Sequence, residues 1–264
     1  MIETIFVDVD ETLIDHNFKI PAENVEAIRK AQDKGVEVLL CTGRMIAGLR
    51  YIIDELNIKD LIAMNGAIIY GDHGNEVLYR KTMDNNLVQK IFDFGIDNNE
   101  SIHIFTQDEL YIHNMMLDEK KRYEQMKFHY TLVDTLEPVK EPVIKMIFQN
   151  DDIEHLESLE NRLRAYVNEP IELTFSSHRY MEINPIGTSK GNAIERYLNM
   201  KNKSLETSMI IGDSPNDLSK FQLNIGKKVA VANAVDIIKQ HAHIITEKDA
   251  SNGAVAEAIN RFVL

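Results

Sequence analysis

The chain has 264 residues, 44% hydrophobic and 27% charged, with a formal net charge of -13. That balance belongs to a folded globular chain, excludes wholesale disorder, and excludes non-specific nucleic-acid binding, which needs a basic surface. It leaves room for a phosphorylated substrate, because a metal ion and one or two lysines dominate the field of a pocket. Cys41 is the single cysteine, so no internal disulfide is expected and a reducing compartment fits. No apolar stretch approaches the roughly eighteen residues of a membrane span. No secretory leader pattern is present either, and the expectation is a cytoplasmic protein without membrane association.

Ile5, Phe6 and Val7 predict a buried strand, and at its C-terminal end Asp8 and Asp10 bring two carboxylates, with Thr12 following. A period of two puts Asp8 and Asp10 on one side of an extended chain, where two carboxylates repel unless a cation or a proton is shared. Taken alone, the pair is either such a site or a strand running out into a solvated acidic turn. A helix opens at Pro21, whose missing N–H needs no partner in a first turn. Val25, Ile28 and Ala31 or Gln32 mark its face, and Gly35 ends it. Val36 to Cys41 is a short apolar strand closed by Thr42-Gly43-Arg44. A helix through Leu56 carries the stripe Ile46, Leu49, Ile52, Ile53 and Leu56, and Leu61 to Met64 makes a third strand ended by Asn65-Gly66. Strand–helix–strand–helix–strand is the pattern of a parallel doubly wound sheet.

Residues 67–80 break that pattern with a hairpin around Asp72-His73-Gly74. A helix is expected at 85–96, then two alternating strands around Gln107-Asp108, a polar and weakly helical stretch at 114–130, and an irregular connection at 131–142. A strand at 143–149, an amphipathic helix at 151–166 and two further strands complete this block. Residues 82–184 thus read as an α+β domain with antiparallel strands, inserted into an α/β core made of residues 1–81 and 185–264. The core resumes with Ser189-Lys190-Gly191 opening a helix to about Met200. A strand over Thr207 to Ile211 leads into Gly212-Asp213-Ser214-Pro215-Asn216-Asp217 and another helix. A strand at 228–233, a helix near 234–240, a strand at 243–246 and a last helix at 254–262 finish the sheet.

Polar residues therefore gather where apolar strands stop: Asp8 and Asp10, Thr42 to Arg44, Lys190 at a helix start, and Asp213 with Asn216 and Asp217. Acids with only oxygen donors nearby suit Mg2+, and the lack of a thiolate or imidazole cluster disfavours zinc. Aspartate, Mg2+ and lysine are what is needed to hold and attack a phosphoryl group. A GxxxxGK[ST] loop is missing, which leaves a P-loop nucleotide enzyme unsupported.

These motifs resemble the haloacid dehalogenase superfamily of phosphohydrolases, specifically its Cof-type sugar-phosphatase-like branch with a large α/β cap. The resemblance runs through DxDxT at Asp8 to Thr12, TGR at Thr42 to Arg44, SKG at Ser189 to Gly191 and GDxxND at Gly212 to Asp217. The four occur in order, with the insert between the second and third, and residues 231–259 are similar to the branch's usual ending. The resemblance implies a Rossmann-like core with an inserted cap. It also implies a Mg2+-dependent phosphatase for small phosphorylated metabolites, sugar phosphates first, working through an aspartyl-phosphate. A phosphomutase or phosphotransferase using the same chemistry is the alternative.

By the same resemblance Asp8 is the nucleophile. Asp10 protonates the leaving alcohol and then activates water, while its backbone carbonyl joins Asp8 and Asp213 around Mg2+. Thr42 and Lys190 hold the phosphoryl oxygens, and Lys190 also restrains Asp8. Gly43, Arg44, Asn65 and Asn216 are candidate substrate contacts, and Asn216 and Asp217 orient metal waters and Lys190 from one layer out. The insert is expected to select substrate while adding little to the phosphoryl chemistry. One departure stands out: Glu11 follows Asp10 where the branch usually has glycine, and it is expected to point to solvent.

Other residues invite functional readings that simpler ones displace. Cys41 ends an apolar strand and reads as a small buried hydrophobe rather than a nucleophile. Ser214 has no G-x-S-x-G elbow around it and with Pro215 starts a helix. His103 and His113 lie on neighbouring strands of the insert, where they meet across a hairpin or form ordinary surface; His241 and His243 read as structural. Phe105, Tyr111, Tyr180 and Met181 suit either the open face of the insert or its own core. The acidic segment DDIEHLESLENRL reads as a solvated helix face.

Overall fold

The computed structural model describes residues 1–125 and 128–264. The chain divides into two compact units: Met1–Arg44, Leu49–Arg80 and Ser189–Leu264 form one, and Met45–Gly48 with Lys81–Thr188 the other. The first unit begins with β1 (Thr4–Val7), α1 (Ala22–Asp33), β2 (Glu37–Cys41), α2 (Arg50–Leu56), β3 (Leu61–Ala63), β4 (Ile68–Gly71) and β5 (Glu76–Arg80). In the second unit lie α3 (Asn85–Asp97), β6 (Ser101–Phe105), β7 (Leu110–His113), α4 (Leu117–Gln125), β8 (Thr131–Leu132), β9 (Lys145–Gln149), α5 (Ile153–Val167), β10 (Ile171–Ser177) and β11 (Tyr180–Pro185). The first unit resumes with α6 (Lys190–Met200), β12 (Ser208–Gly212), α7 (Leu218–Phe221), β13 (Lys227–Ala230), α8 (Asp236–His241), β14 (Ile244–Ile245) and α9 (Ala254–Phe262).

The sheet of the first unit runs β14-β13-β12-β1-β2-β3-β4-β5. Strands β14 through β3 pair in parallel, and β4 and β5 add an antiparallel hairpin at the edge. β1, apolar after Thr4, is fully buried because both faces are covered, as a central parallel strand requires. Its neighbour β12 is in register with Val7 opposite Ile211, so the two chains leave the sheet side by side. The N–H of Asp8 donates to the Ile211 carbonyl at 3.0 Å, one more ladder bond past the strand end. That register delivers Asp8 and Asp213 to the same rim, the usual ligand-binding edge of an open α/β sheet.

Two local details differ from the pattern read in the sequence. The helix expected to run through Leu56 is a 3-10 turn at Ile46–Gly48 followed by α2, although all five apolar stripe residues are buried. On α1 the buried residues are Asn24, Ala27, Ile28 and Ala31, and Val25 is only half-buried. Asn24 wins the inner position because its side chain donates to the Leu13 carbonyl at 3.1 Å and accepts the Ala256 N–H at 2.9 Å. A buried amide is tolerated when both ends find partners.

The second unit carries a sheet in the order β10-β11-β9-β6-β7-β8. Its pairings are antiparallel except for β8, which runs parallel to β7 and gives two residues of strand inside the stretch expected to be irregular. One face packs Ile102, Ile104, Met146, Phe148, Met181 and Ile183 against α3 and α5. Met181 therefore belongs to the unit's own core, with Tyr111 packed against it. On the opposite face Lys145 and Glu182 form a buried ion pair at 2.8 Å. His103 pairs with Ile112 and His113 with Ile102, so the two histidines project to opposite faces instead of meeting. His103 is buried within hydrogen-bonding distance of the Tyr123 hydroxyl, at 3.1 Å.

Candidate active site

The site is built from the rim of the first unit's sheet. Asp8 is the first residue past β1, and Lys190 is the first residue of α6, whose N-cap Ser189 accepts the Asn192 N–H at 3.1 Å. Both side chains are buried. Lys190 Nζ donates to Asp8 Oδ1 at 2.7 Å, to Asp217 Oδ1 at 2.6 Å and to Asn216 Oδ1 at 3.3 Å. The loop after β12 turns back through a 3-10 turn at Pro215–Asp217, with Pro215 in its first turn where a missing N–H costs nothing. That reversal lets Asp217 Oδ2 accept the Asp213 N–H at 2.9 Å. Asp213 Oδ1 in turn accepts the Thr12 hydroxyl at 2.7 Å. Carboxylate oxygens of Asp8, Asp213 and Asp217 all lie within 4.8 Å of one another.

Burial and mutual repulsion shape the titration of these acids. Burial, reinforced by the Asp217 charge, pushes Asp8 above the usual carboxylate value even with Lys190 beside it. Asp213 is pushed well above it by burial and then by the charges of Asp8 and Asp217. Asp217 goes the other way: burial opposes ionisation, but the ammonium groups of Lys190 and Lys220 outweigh it. Lys190 is likewise held as a cation against its burial by Asp217 and Asp8. Two acids whose ionisation is opposed by burial and by the charge of neighbouring carboxylates, in an all-oxygen donor set, fit a hard divalent ion. The three aspartates form an Asp-rich candidate metal-binding cluster.

The remaining candidate residues line the same rim. Thr42 is buried, its N–H donates to the Ile62 carbonyl at 2.9 Å, and its carbonyl accepts the Asn65 N–H at 2.9 Å. Asn216 Nδ2 reaches Asn65 Oδ1 at 3.4 Å. A Cβ on Gly43 would sit 2.9 Å from Asn65 Oδ1, so the close approach of these loops suits glycine there. Arg44 lies against Asp10, donating from Nε to Oδ2 at 2.8 Å and from Nη2 to Oδ1 at 2.5 Å. The Asp10 carboxylate thus faces Arg44 and stands outside the three-aspartate cluster. Glu11 is exposed with φ of 54°, the left-handed conformation that glycine adopts without strain.

Sequence reasoning passed over Lys220, which is fully buried and donates to Asp217 Oδ1 at 2.8 Å. The signal available was its spacing of three residues from Asp217, which sets both on one side of a helical turn. Ser219 was also missed; its hydroxyl accepts the Gly191 N–H at 3.1 Å and joins α7 to the start of α6. Cys41 is buried at the end of β2, and burial pushes its thiol up to about 12, as suits an inert packing residue. Ser214 donates its hydroxyl to Asn216 Oδ1 at 2.8 Å.

A doubly wound α/β sheet whose strand ends bring three acids to a buried lysine defines an enzyme of phosphoryl-ester hydrolysis. The model of the haloacid dehalogenase-like hydrolases matches residues 5–259, and the chain belongs to that family as a phosphoric monoester hydrolase with an inserted cap domain. It is 31% identical to the 5-amino-6-(5-phospho-D-ribitylamino)uracil phosphatase YcsE of Bacillus subtilis (strain 168), over 100% of this chain and 96% of that protein. YwtE of the same organism, a phosphatase of the same name, is 27% identical over 94% of each chain. Among solved structures, a haloacid dehalogenase-like hydrolase from Bacteroides thetaiotaomicron superposes with a TM-score of 0.87, at 25% identity over 99% of both chains. No helix among the described residues is long and apolar enough to cross a membrane.

Proposed function

We propose that the chain hydrolyses small phosphomonoesters in which the phosphate sits on a sugar or sugar-alcohol arm. The observation that carries this reading is the 2.7 Å contact of Lys190 Nζ with Asp8 Oδ1 inside a buried three-carboxylate cluster. Sugar phosphates head the expectation from sequence, and the ribityl phosphate named for YcsE and YwtE is a polyol ester of the same kind.

Asp8 and Asp213, with the backbone carbonyl of Asp10, would hold Mg2+. When bound, the ion supplies positive charge to the phosphoryl oxygens and to the Asp8 carboxylate. An Asp8 carboxylate oxygen attacks phosphorus, forming the aspartyl-phosphate as the bond to the ester oxygen breaks. Asp10 gives its proton to that departing oxygen. It then takes one from water, whose oxygen attacks phosphorus and breaks the bond to Asp8, releasing inorganic phosphate. Lys190 and Thr42 steady the phosphoryl oxygens, and Lys190 favours the Asp8 anion against the burial that opposes it. Asn216 and Asp217 hold Lys190 in line. Gly43, Arg44 and Asn65 are the residues proposed to meet the rest of the substrate, and the inserted domain to select it.

The test is a screen of purified protein with Mg2+ across sugar phosphates, polyol phosphates, flavin mononucleotide and pyridoxal phosphate, ranked by kcat/KM from released phosphate. Preference for a sugar or polyol ester supports the reading. An isomerised ester in place of free phosphate identifies a mutase, and turnover confined to a folded phosphoprotein overturns the substrate class. The Asp8→Asn variant should be inactive, because an amide cannot form the acyl-phosphate.

A further inference from the structure

Lys220 is a second fully buried lysine in the first unit, and the chemistry above does not use it. It sits on α7, the four-residue helix that follows the Gly212–Asp217 loop. Its Nζ donates to Asp217 Oδ1 at 2.8 Å and to the Ile211 carbonyl at 2.9 Å. The same carbonyl accepts the Asp8 N–H at 3.0 Å, so Lys220 is tied to the backbone that delivers Asp8 and Asp213 to the rim. Asp217 Oδ1 takes both ammonium groups, from Lys190 at 2.6 Å and from Lys220 at 2.8 Å, and Oδ2 takes the Asp213 amide at 2.9 Å. Both oxygens of Asp217 are thereby engaged in holding its neighbours. The arrangement also explains Gly212: a Cβ there would overlap the Asp217 carboxylate and lie 2.8 Å from Lys220 Nζ.

Burying an ammonium group is costly, and an apolar side chain of similar length would fill the space at less cost. A lysine in that place points to what its charge does. Asp8, Asp213 and Asp217 carry three negative charges when ionised, and Lys190 with Lys220 offsets two of them, leaving one in excess. Without Lys220, Asp217 keeps a single ammonium partner, that of Lys190. Asp217 would then draw more of the Lys190 charge to itself and turn an oxygen toward the cation. We propose that Lys220 is a positioning residue for phosphoryl binding. It holds Asp217 as a counterion instead of an inner metal ligand, and so leaves Lys190 to Asp8 and the phosphoryl group. The proposal rests on the roles given above to Asp8, Lys190 and Mg2+.

The experiment compares wild type, Lys220→Met, Asp217→Asn and the double variant. The readouts are Mg2+ titrated calorimetrically without substrate, inorganic phosphate as a competitive inhibitor, and kcat with KM. In Lys220→Met, Mg2+ should bind about tenfold more tightly and inorganic phosphate about tenfold more weakly, because Asp217, left with one ammonium partner, turns an oxygen toward the ion and draws Lys190 away from the phosphoryl group. In the Asp217→Asn background, adding Lys220→Met should leave phosphate affinity within about twofold, as expected when one residue acts through the other. Should Lys220→Met alone fail to fold, the double variant, which loses one charge of each sign, is compared with Asp217→Asn. A phosphate affinity differing tenfold between those two overturns the proposal. So does a folded Lys220→Met protein with wild-type Mg2+ and phosphate affinities, which would make Lys220 a space-filling residue. Failure of the underlying reading looks different: Asp8→Asn would keep turning over, or wild type would work undiminished after exhaustive chelation, whatever stands at 220.

Discussion

Arg44 grips Asp10 from the side, its Nε donating to Oδ2 at 2.8 Å and its Nη2 to Oδ1 at 2.5 Å. The two residues are 34 apart in sequence and meet because β1 and β2 are parallel neighbours whose ends reach the same rim. Arg44 is fixed in turn by its position 5.5 Å from the centre of the Phe18 ring. A guanidinium that donates to both oxygens sets the orientation of a carboxylate as well as its charge. If Asp10 moves the proton, Arg44 decides where Asp10 points.

Arg44→Ala should therefore lower kcat by about ten- to a hundredfold, a fraction of what general acid–base catalysis supplies. Arg44→Lys should recover little of it, since an ammonium cannot fork. Steady-state kinetics on an alkyl phosphate and on p-nitrophenyl phosphate checks this, because the nitrophenolate leaves without a proton and should be affected less. A raised KM with kcat untouched on both esters would instead make Arg44 a substrate contact alone.

Chelation and pH test the acid cluster. Asp8 and Asp213 have raised values in the folded protein, so the stability they contribute is fully present below the ordinary carboxylate value of 3.8. That stability is lost as pH rises through their folded values. Asp217 is lowered, so its contribution is present above 3.8 and is lost as pH falls through its folded value. In EDTA, thermal unfolding should show Tm falling as pH rises from mild acid toward neutrality. Added Mg2+ should raise Tm by a margin that grows with pH, since ligand binding to the folded state stabilises it by mass action. A Mg2+ shift that is equal at acid and neutral pH would separate the ion from Asp8 and Asp213.

Cys41 gives a negative test. With its thiol buried and pushed up to about 12, it should not react with aromatic disulfide reagents in the native protein. Full reactivity should appear only on unfolding, and Cys41→Ser should leave kcat within about twofold apart from a stability cost of about 1–3 kcal/mol for a buried hydroxyl. Rapid native labelling with loss of activity would return Cys41 to the list of working residues.

How much was legible follows from where each residue finds its partners. DxDxT, TGR, SKG and GDxxND each sit at the end of an apolar strand or the start of a helix, so local pattern and motif pointed to the same rim. Asn24 could not be placed inward from periodicity, because its partners are Leu13 and Ala256, 11 and 232 residues away. Lys220 was hidden for a similar reason: a lysine reads as solvated until a buried carboxylate and a strand-end carbonyl are known to face it. Of the alternatives for His103 and His113, the meeting across the hairpin fails because a one-residue register offset sends the two to opposite faces, and His103 is buried.

Gly66 and Gly35 form a matched pair that separates backbone strain from site geometry. Both have positive φ, 96° and 82°. An alanine at either position pays the left-handed penalty of about 1–2 kcal/mol. At Gly35 the added Cβ meets nothing within 4 Å, so Gly35→Ala should cost about that much and leave kcat unchanged. At Gly66 it would overlap the Ser189 carbonyl and approach the Ala193 Cβ to 2.7 Å. Both contacts belong to the first turn of α6, the turn that starts with Lys190, and a helix backbone has no rotamer with which to yield. Gly66→Ala should therefore push that end of α6 away from the rim, costing about 2–4 kcal/mol in all. The displacement should lengthen the Lys190–Asp8 contact, now 2.7 Å, and lower kcat well over tenfold in molecules that remain folded. Denaturant unfolding and kcat measured on both variants decide it. Equal losses of stability with kcat preserved in Gly66→Ala would show that the seat of α6 does not govern where Lys190 sits.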